Sequence, residues 1–476
     1  MAAPWWIGFA VIYGLGVLSA VDAVARTRTP QGAAAWALAL ALVPLVALPA
    51  YWAFGRARFR DYARVVADTA GRIAAARASA LASTDWAVGP EDLPDLHAAT
   101  RLRGIAALAD ASFTRANAVR LLVDGRATYE AVFDAIDTAT DHLLIQAYIV
   151  RDDRLGTDLQ QRLLAAAARG VRVAVLYDEV GSLGLSSRWV RTLTRGGVRV
   201  SDAGGHRSPL GQFRLNFRNH RKVVVADGRV GLTGGLNVGD EYLGEGPDPR
   251  PWRDTHIRVE GPAALGLQAS FARDWLYATG ETLGLDWTPH PGPGDRAALV
   301  VPSGPADRME TGRLLVAHAI GMAERRFWVA SPYVIPDSHV LGELQAAALR
   351  GVDVRVLTTR AVDRALFRYA PFAYLPELDR AGVETWLYED GFMHTKAFVV
   401  DDALAAVGTA NLDNRSFRLN FELTCVVADA GFAGEVGAMF EADFARSTRL
   451  TTADLAARGA WDRAGTAATR LLAPIL

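Results

Sequence analysis

Hydrophobic residues are concentrated at the start of the chain. From Ala2 to Val21 no residue carries a charge, and a second uncharged run extends from Thr29 to Gly55. Each approaches the roughly 20 residues that cross about 30 Å of hydrocarbon. Trp5, Trp6, Tyr51 and Trp52 lie at the ends, where aromatic side chains favour the membrane–water boundary. The pattern predicts two transmembrane helices, about 4–24 and 32–54, within a segment 1–60. Pro44 is compatible with a membrane helix. A signal peptide followed by a core helix fits less well: MAAPWW lacks a basic start, and Arg26 is followed almost at once by the second span. Arg56, Arg58, Arg60 and Arg64 after the second span outnumber Arg26 and Arg28 between the two. The positive-inside rule then places the remainder of this multi-pass chain in the cytoplasm.

Residues 61–98 read as a connector, an Ala/Arg-rich helical stretch followed by the turn-rich STDWAVGPEDLP. Beyond it the pattern alternates. LLIQAYIV (143–150) has the continuous apolar character of a buried strand, a helical run continues to Arg169, and GVRVAVLYD (170–178) is a second strand. The same grammar returns in RFWVASPYVIP (326–336) and RGVDVRVLTT (350–359). This is a long-period repeat, and it predicts an α/β protein with two pseudo-symmetric halves, 99–290 and 291–476. Each half would have a mixed, mostly parallel sheet, and the two would pack together.

Charge and composition narrow the chemistry. With 51 basic and 52 acidic residues the net charge is −1, which removes the broad basic field of a non-specific nucleic-acid binder. One cysteine, Cys425, excludes an internal disulfide framework. Only two of the basic residues are lysines, Lys222 and Lys396. In so arginine-rich a chain, a retained lysine suggests a site where a guanidinium will not serve.

Both lysines sit two places after a histidine. NHRKVVVADGRVGLTGGLN contains His220, Lys222, Asp227 and Asn237; MHTKAFVVDDALAAVGTAN contains His394, Lys396, Asp401 and Asn411. Each copy reads H-x-K-x4-D, with an asparagine 17 residues after the histidine. On a strand, residues i and i+2 share a face, so each histidine points with its lysine. Two such pairs brought to one cleft suit a phosphodiester. One histidine attacks phosphorus while the other moves the protons. Lysine ammonium groups and the amides of Asn237 and Asn411 would hold the phosphoryl oxygens. No metal or other cofactor is required, because lysine supplies the positive charge. Asp227 and Asp401 complete the catalytic motif, although the turn pair Asp227-Gly228 favours a structural role. Asp254 in WRDTHIRV and Glu422 in NFELTCVV, each opening the next strand, are better placed to orient the histidines.

At these residues the sequence resembles the phospholipase D superfamily, with its paired H-x-K-x4-D motifs, and within it the bacterial cardiolipin synthases. The narrower resemblance extends to the two N-terminal spans, PAYWAFGR, RNHRK, GGLNVGDEY, WRDTH, SPYVIPD, MHTK and LLAPIL. It implies two phospholipase D-type α/β/α halves and a cell-membrane location. It also implies transfer of a phosphatidyl group between two phosphatidylglycerol molecules through a phosphohistidine, with His220 as nucleophile and His394 as acid/base. Thr409 stands where the first half has Gly235, a mild departure within the repeat. Phosphatidylglycerol and anionic membrane lipids are the expected partners, and no nucleic acid; Arg207, Arg214, Arg218 and Arg221 could attract their headgroups. A membrane-anchored hydrolase would use the same residues with water as acceptor. A phospholipase D-type nuclease and an inactive scaffold are the remaining alternatives, disfavoured by the neutral charge and by two intact motifs.

Overall fold

The computed structural model describes residues 3–27, 30–55, 60–82, 84–89, 96–204, 216–246, 249–361 and 368–472. Helix α1 (Ala3–Arg26) is apolar around its circumference, with Trp6, Phe9, Val17 and Leu18 all more than half exposed. From Trp6 to Arg26 it is long and apolar enough to cross a membrane. The second apolar run is not the single helix expected. It divides into α2 (Pro30–Leu42), α3 (Pro44–Ala50) and a wider π-type turn, Tyr51–Gly55. Proline explains the break. Pro44 has no N–H to donate, and its ring drives Val43 out of helical geometry, to φ −136° and ψ 57°. The pieces still pack on α1 around Ala23, Leu40, Ala47 and Tyr51. A Cβ on Gly16 would lie 2.6 Å from the Leu40 carbonyl oxygen, so backbone meets backbone there. Two hydrogen bonds tie polar side chains across this hairpin: Tyr51 donates to Asp22 (2.8 Å) and Trp52 Nε1 to Ser19 (3.2 Å). Helix α4 (Arg60–Ala82) then leads towards the larger part of the molecule.

There the repeat becomes topology. The first half contributes β1 (Phe113–Val123), β2 (His142–Ala147), β3 (Arg172–Tyr177), β4 (Arg199–Asp202), β5 (Val223–Ala226), β6 (Val230–Gly234) and β7 (Thr255–Glu260). They lie in the order β4-β3-β2-β5-β6-β7-β1. The second contributes β8 (Arg296–Ser303), β9 (Arg326–Ala330), β10 (Asp353–Thr359), β11 (Glu384–Tyr388), β12 (Ala397–Val400), β13 (Leu404–Gly408) and β14 (Asn420–Ala428). Their order, β11-β10-β9-β12-β13-β14-β8, repeats the first strand for strand. β15 (Ser447–Leu450) adds to β11, and β1 also pairs with β8, which joins the sheets. Both sheets are mixed, but antiparallel pairs predominate over the parallel ones expected. The physical reason is the short turn after each motif strand, which folds β5 onto β6 and β12 onto β13.

Strand residues alternate between two cores. Leu143, Ile145, Val173 and Val175 face an outer layer of helices, while Leu144, Ala174 and Leu176 face the centre. Phe327, Val329, Val354 and Val356 face the opposite outer layer, while Trp328 and Leu357 face inward. Burial on both faces accounts for the continuous apolar runs. Between the sheets lie α5 (Ala264–Thr279) and α6 (Ala430–Phe444), which bring Phe271, Trp275, Phe440 and Phe444 into the shared core.

Candidate active site

Two very short parallel ladders set the geometry. Arg218 and Asn219 pair with Asn420 and Phe421, so the next residues in register are His220 and Glu422. Trp252 and Arg253 pair with Phe392 and Met393, which brings Asp254 beside His394. The register is continued by the His220 N–H on the Phe421 carbonyl (3.0 Å) and the His394 N–H on the Arg253 carbonyl (2.7 Å). Side chains follow the backbone. His220 Nδ1 lies 2.9 Å from Glu422 Oε2, and His394 Nδ1 lies 2.8 Å from Asp254 Oδ2. Each histidine is therefore oriented by a carboxylate of the other half. A proton on Nδ1, held by the carboxylate, leaves the Nε2 lone pair free to attack phosphorus or accept a proton.

The lysines line the same centre. Lys222 Nζ donates to the His220 carbonyl (2.7 Å) and Lys396 Nζ to that of His394 (2.6 Å). Lys222 also lies 5.4 Å from the Tyr148 ring, which meets the His220 ring edge-on at 4.9 Å. Trp252 and Phe392 flank His394 at 5.4 and 5.7 Å. Thr255 and Thr395 hydroxyls, 3.2 Å apart, connect the strand that follows Asp254 to the second motif.

Burial dominates the electrostatics. It lowers the pKa of both His220 and His394 to about 4 against the pull of their carboxylates, so both rings are neutral at pH 7. It likewise pushes Lys222 down to about 7, with Glu422 opposing and Lys396 assisting. For Glu422 and Asp254 burial is outweighed by the facing histidines and lysines, and both carboxyl groups titrate below their ordinary range. Lys396 acts on His220 and Lys222 on His394, so the two couples share one field.

The couples are not equivalent. Glu422 also accepts from Thr409 (2.6 Å), Ser416 (2.9 Å) and Asn420 (3.1 Å). Asp254 has the Thr255 N–H (2.8 Å) and a long contact from Trp252 Nε1 (3.5 Å). Where Thr409 donates in one half, Gly235 stands in the other, and a Cβ there would lie 2.0 Å from Asp254 Oδ1. The Thr/Gly departure in the repeat thus marks the difference between the two carboxylates.

The motif aspartates are not brought to the histidines. Asp227 and Asp401 take positive φ, 56° and 51°, at the far ends of β5 and β12. Asp227 accepts from the N–H groups of Thr140, Asp141 and His142; Asp401 accepts from those of Glu324, Arg325 and Arg326. An aspartate tolerates the left-handed turn and caps three backbone donors, which explains the residue without a catalytic role. Asn237 is committed as well: its Oδ1 accepts from Ile149 N–H (3.1 Å) and its Nδ2 donates to Tyr242 (3.2 Å). The buried Asn411 Oδ1 accepts no hydrogen bond among the described residues. Arg221 is buried in an ion pair with Asp274 (2.7 Å) rather than facing headgroups, while Arg207 and Arg214 lie outside the described residues. Thr409, Ser416, Asn420 and Tyr148 are site residues that the motif pattern does not announce. The sequence offers two signals for them: the Thr409/Gly235 departure in the repeat and the i, i+2 relation of Asn420 to Glu422.

Comparison with known proteins identifies the family. The family model described as "Cardiolipin synthase, PLD-like domain" matches residues 132–275 and 316–444, and "Phospholipase_D-nuclease N-terminal" matches 14–56. Cardiolipin synthase A of Pseudomonas aeruginosa is 46% identical over 97% of this chain and 94% of its own length. The protein of that name from Pseudomonas putida KT2440 is 42% identical over 100% and 99%. The chain belongs to the cardiolipin synthase family. Among solved structures, phosphatidylserine synthase of Haemophilus influenzae superposes with a TM-score of 0.60 at 14% identity, over 79% of this chain and 100% of that one. At that identity the likeness is one of fold. Within the family's two-part domain, the crossed couples span both matched segments, since each histidine and its carboxylate fall on opposite sides of the gap.

Proposed function

We propose that this protein is a membrane-anchored phosphatidyltransferase that converts two phosphatidylglycerol molecules to cardiolipin and glycerol. The observation that carries the proposal is the crossed register, His220 on Glu422 and His394 on Asp254, with two buried lysines between them. With the anionic phosphodiester bound, His394 takes up a proton at Nε2. His220 Nε2 then attacks phosphorus, and the bond to the terminal glycerol breaks as the His394 imidazolium donates that proton to the departing oxygen. A hydroxyl of the second phosphatidylglycerol then loses its proton to His394 and attacks the phosphohistidine, releasing His220. Lys222 and Lys396 balance charge on the phosphoryl oxygens.

Assignment of the roles follows from the carboxylates. Asp254 has fewer hydrogen-bond donors to share its charge and in this assignment supports the imidazolium that an acid/base must become; Glu422, with three further donors, mainly orients a nucleophile. Membrane attachment through α1 and the kinked α2–α3 pair, and a cytoplasmic face for the catalytic halves, follow from the apolar hairpin and the arginine bias. The division into 1–60, 61–98, 99–290 and 291–476 belongs to the same proposal.

Mass spectrometry of the products formed from phosphatidylglycerol in mixed micelles tests it. Cardiolipin plus glycerol is expected. Phosphatidic acid plus glycerol would instead make the protein a hydrolase.

A further inference from the structure

Both chain neighbours of His220 are held by one buried carboxylate. Asp274, on α5, accepts from Arg221 Nη1 (2.7 Å) and Asn219 Nδ2 (2.8 Å). Gln146 on β2 donates to the same carboxylate (2.8 Å). Arg221 reaches onward to the Glu422 carbonyl (2.9 Å) and the Ser303 carbonyl (3.1 Å). The His220–Glu422 couple thus sits on a frame centred on Asp274, at 1% exposure.

The remaining donor to that frame comes from outside the two halves. Tyr62, two residues into α4, donates its hydroxyl to Asp274 Oδ1 at 2.7 Å. Its ring packs between Tyr277 (5.1 Å) and Phe421 (4.6 Å), the latter adjacent to Glu422. A phenol hydrogen-bonded to a buried carboxylate is a strong contact, and leaving that carboxylate short of a donor is costly. The segment that follows the apolar hairpin therefore touches one catalytic couple through a single intermediary. Among the described residues no such contact from α4 to Asp254 or His394 is formed.

We infer that Tyr62 is a positioning residue, which ties the membrane-proximal helix to the His220–Glu422 couple through Asp274. The inference rests on the transfer chemistry proposed above. Tyr62 touches no substrate; it fixes the frame against which His220 is aimed, so orientation of the nucleophile depends on the docking of α4.

Tyr62→Phe in the full chain keeps the ring stack and removes the hydroxyl. In phosphatidylglycerol mixed micelles, kcat is expected to fall about tenfold, the scale of one lost charge-assisted hydrogen bond, with KM within about twofold. Hydrogen exchange should quicken at 219–222 and 420–423 and stay unchanged at 394–396. A kcat within about twofold of wild type, or exchange quickened equally at both motifs, would overturn the inference. A wild-type protein that makes no cardiolipin would remove the transfer reaction instead, and the exchange pattern would still report the tie.

Discussion

The two histidine couples are built by the same fold and finished differently. Both arise where a two-residue parallel ladder delivers a histidine to a carboxylate from the other half. Around Glu422, however, hydroxyls and an amide occupy the remaining acceptor positions, whereas Gly235 leaves Asp254 bare on the corresponding side. A duplicated unit can therefore divide labour without changing its motif. Hydrogen bonds to the orienting carboxylate decide how much positive charge the paired ring can carry.

Removing the rings breaks the comparison most severely. His220→Ala should eliminate covalent transfer, and His394→Ala should lower kcat by about 10²–10⁴. A phosphodiester with a nitrophenolate leaving group, which needs no proton, should restore the first step in His394→Ala and not in His220→Ala. Release of nitrophenolate by both variants at equal rates would erase the distinction.

The carboxylates come next. Asp254→Asn is expected to cost about 10³ in kcat, because the Thr255 N–H holds the amide oxygen and the NH2 group then faces His394 Nδ1, enforcing the wrong tautomer. Glu422→Gln should cost less, about 10², since the Thr409 and Ser416 hydroxyls can turn and accept from the new amide. Steady-state kinetics on the pair checks the order; a larger loss for Glu422→Gln would reverse the assigned roles.

Smaller still are substitutions at the Thr/Gly position. Gly235→Ala forces a methyl against Asp254 and should lower kcat about tenfold or more, because fixed backbone leaves the carboxylate to yield. Thr409→Ala should leave most activity but move the acid limb of kcat/KM upward, as a Glu422 relieved of one donor raises the proton affinity of His220.

Proton titrations sharpen the shared part of the site. Lys222, lowered to about 7, should lose its charge in the free enzyme as pH rises, so kcat/KM should decline above about 7. The kcat limb should lie higher, because a bound phosphodiester favours the ammonium. His220 and His394 are depressed from 6.5 to about 4, so the unfolded chain binds more protons in that interval. Their contribution to stability is complete above pH 6.5 and is lost as pH falls through 4. Denaturant midpoints measured between pH 4 and 7 should follow that slope. Asp227→Asn should have the least effect on catalysis: about 1–2 kcal/mol of stability lost at the turn, with kcat per folded molecule unchanged.

Much of the site is legible in the amino-acid sequence. The i, i+2 spacing of His220 with Lys222 and His394 with Lys396 marks the groups proposed to react, and the repeat of RGVRVAVLYD in RGVDVRVLTT reveals two halves. Asp254 and Glu422 are recognisable as orienting carboxylates from their place at strand starts. Their exchange between halves is not, since it depends on ladders of two residues that no periodicity records. Asn237 looks available for phosphate, yet its amide fastens Ile149 and Tyr242, a use that only tertiary packing defines. Hydropathy makes the second apolar run look like one continuous helix, because it registers apolar character and not the missing donor at Pro44.

Rapid quenching of the reaction with a 32P-labelled nitrophenyl ester of phosphatidic acid, whose leaving group needs no proton, followed by peptide mapping at alkaline pH, tests the division of labour most directly. Label should accumulate on the peptide containing His220 in the His394→Ala protein, and none should be retained by His220→Ala. Label on His394, or a labelled His220→Ala protein, would contradict the assignment of nucleophile and acid/base to the two couples.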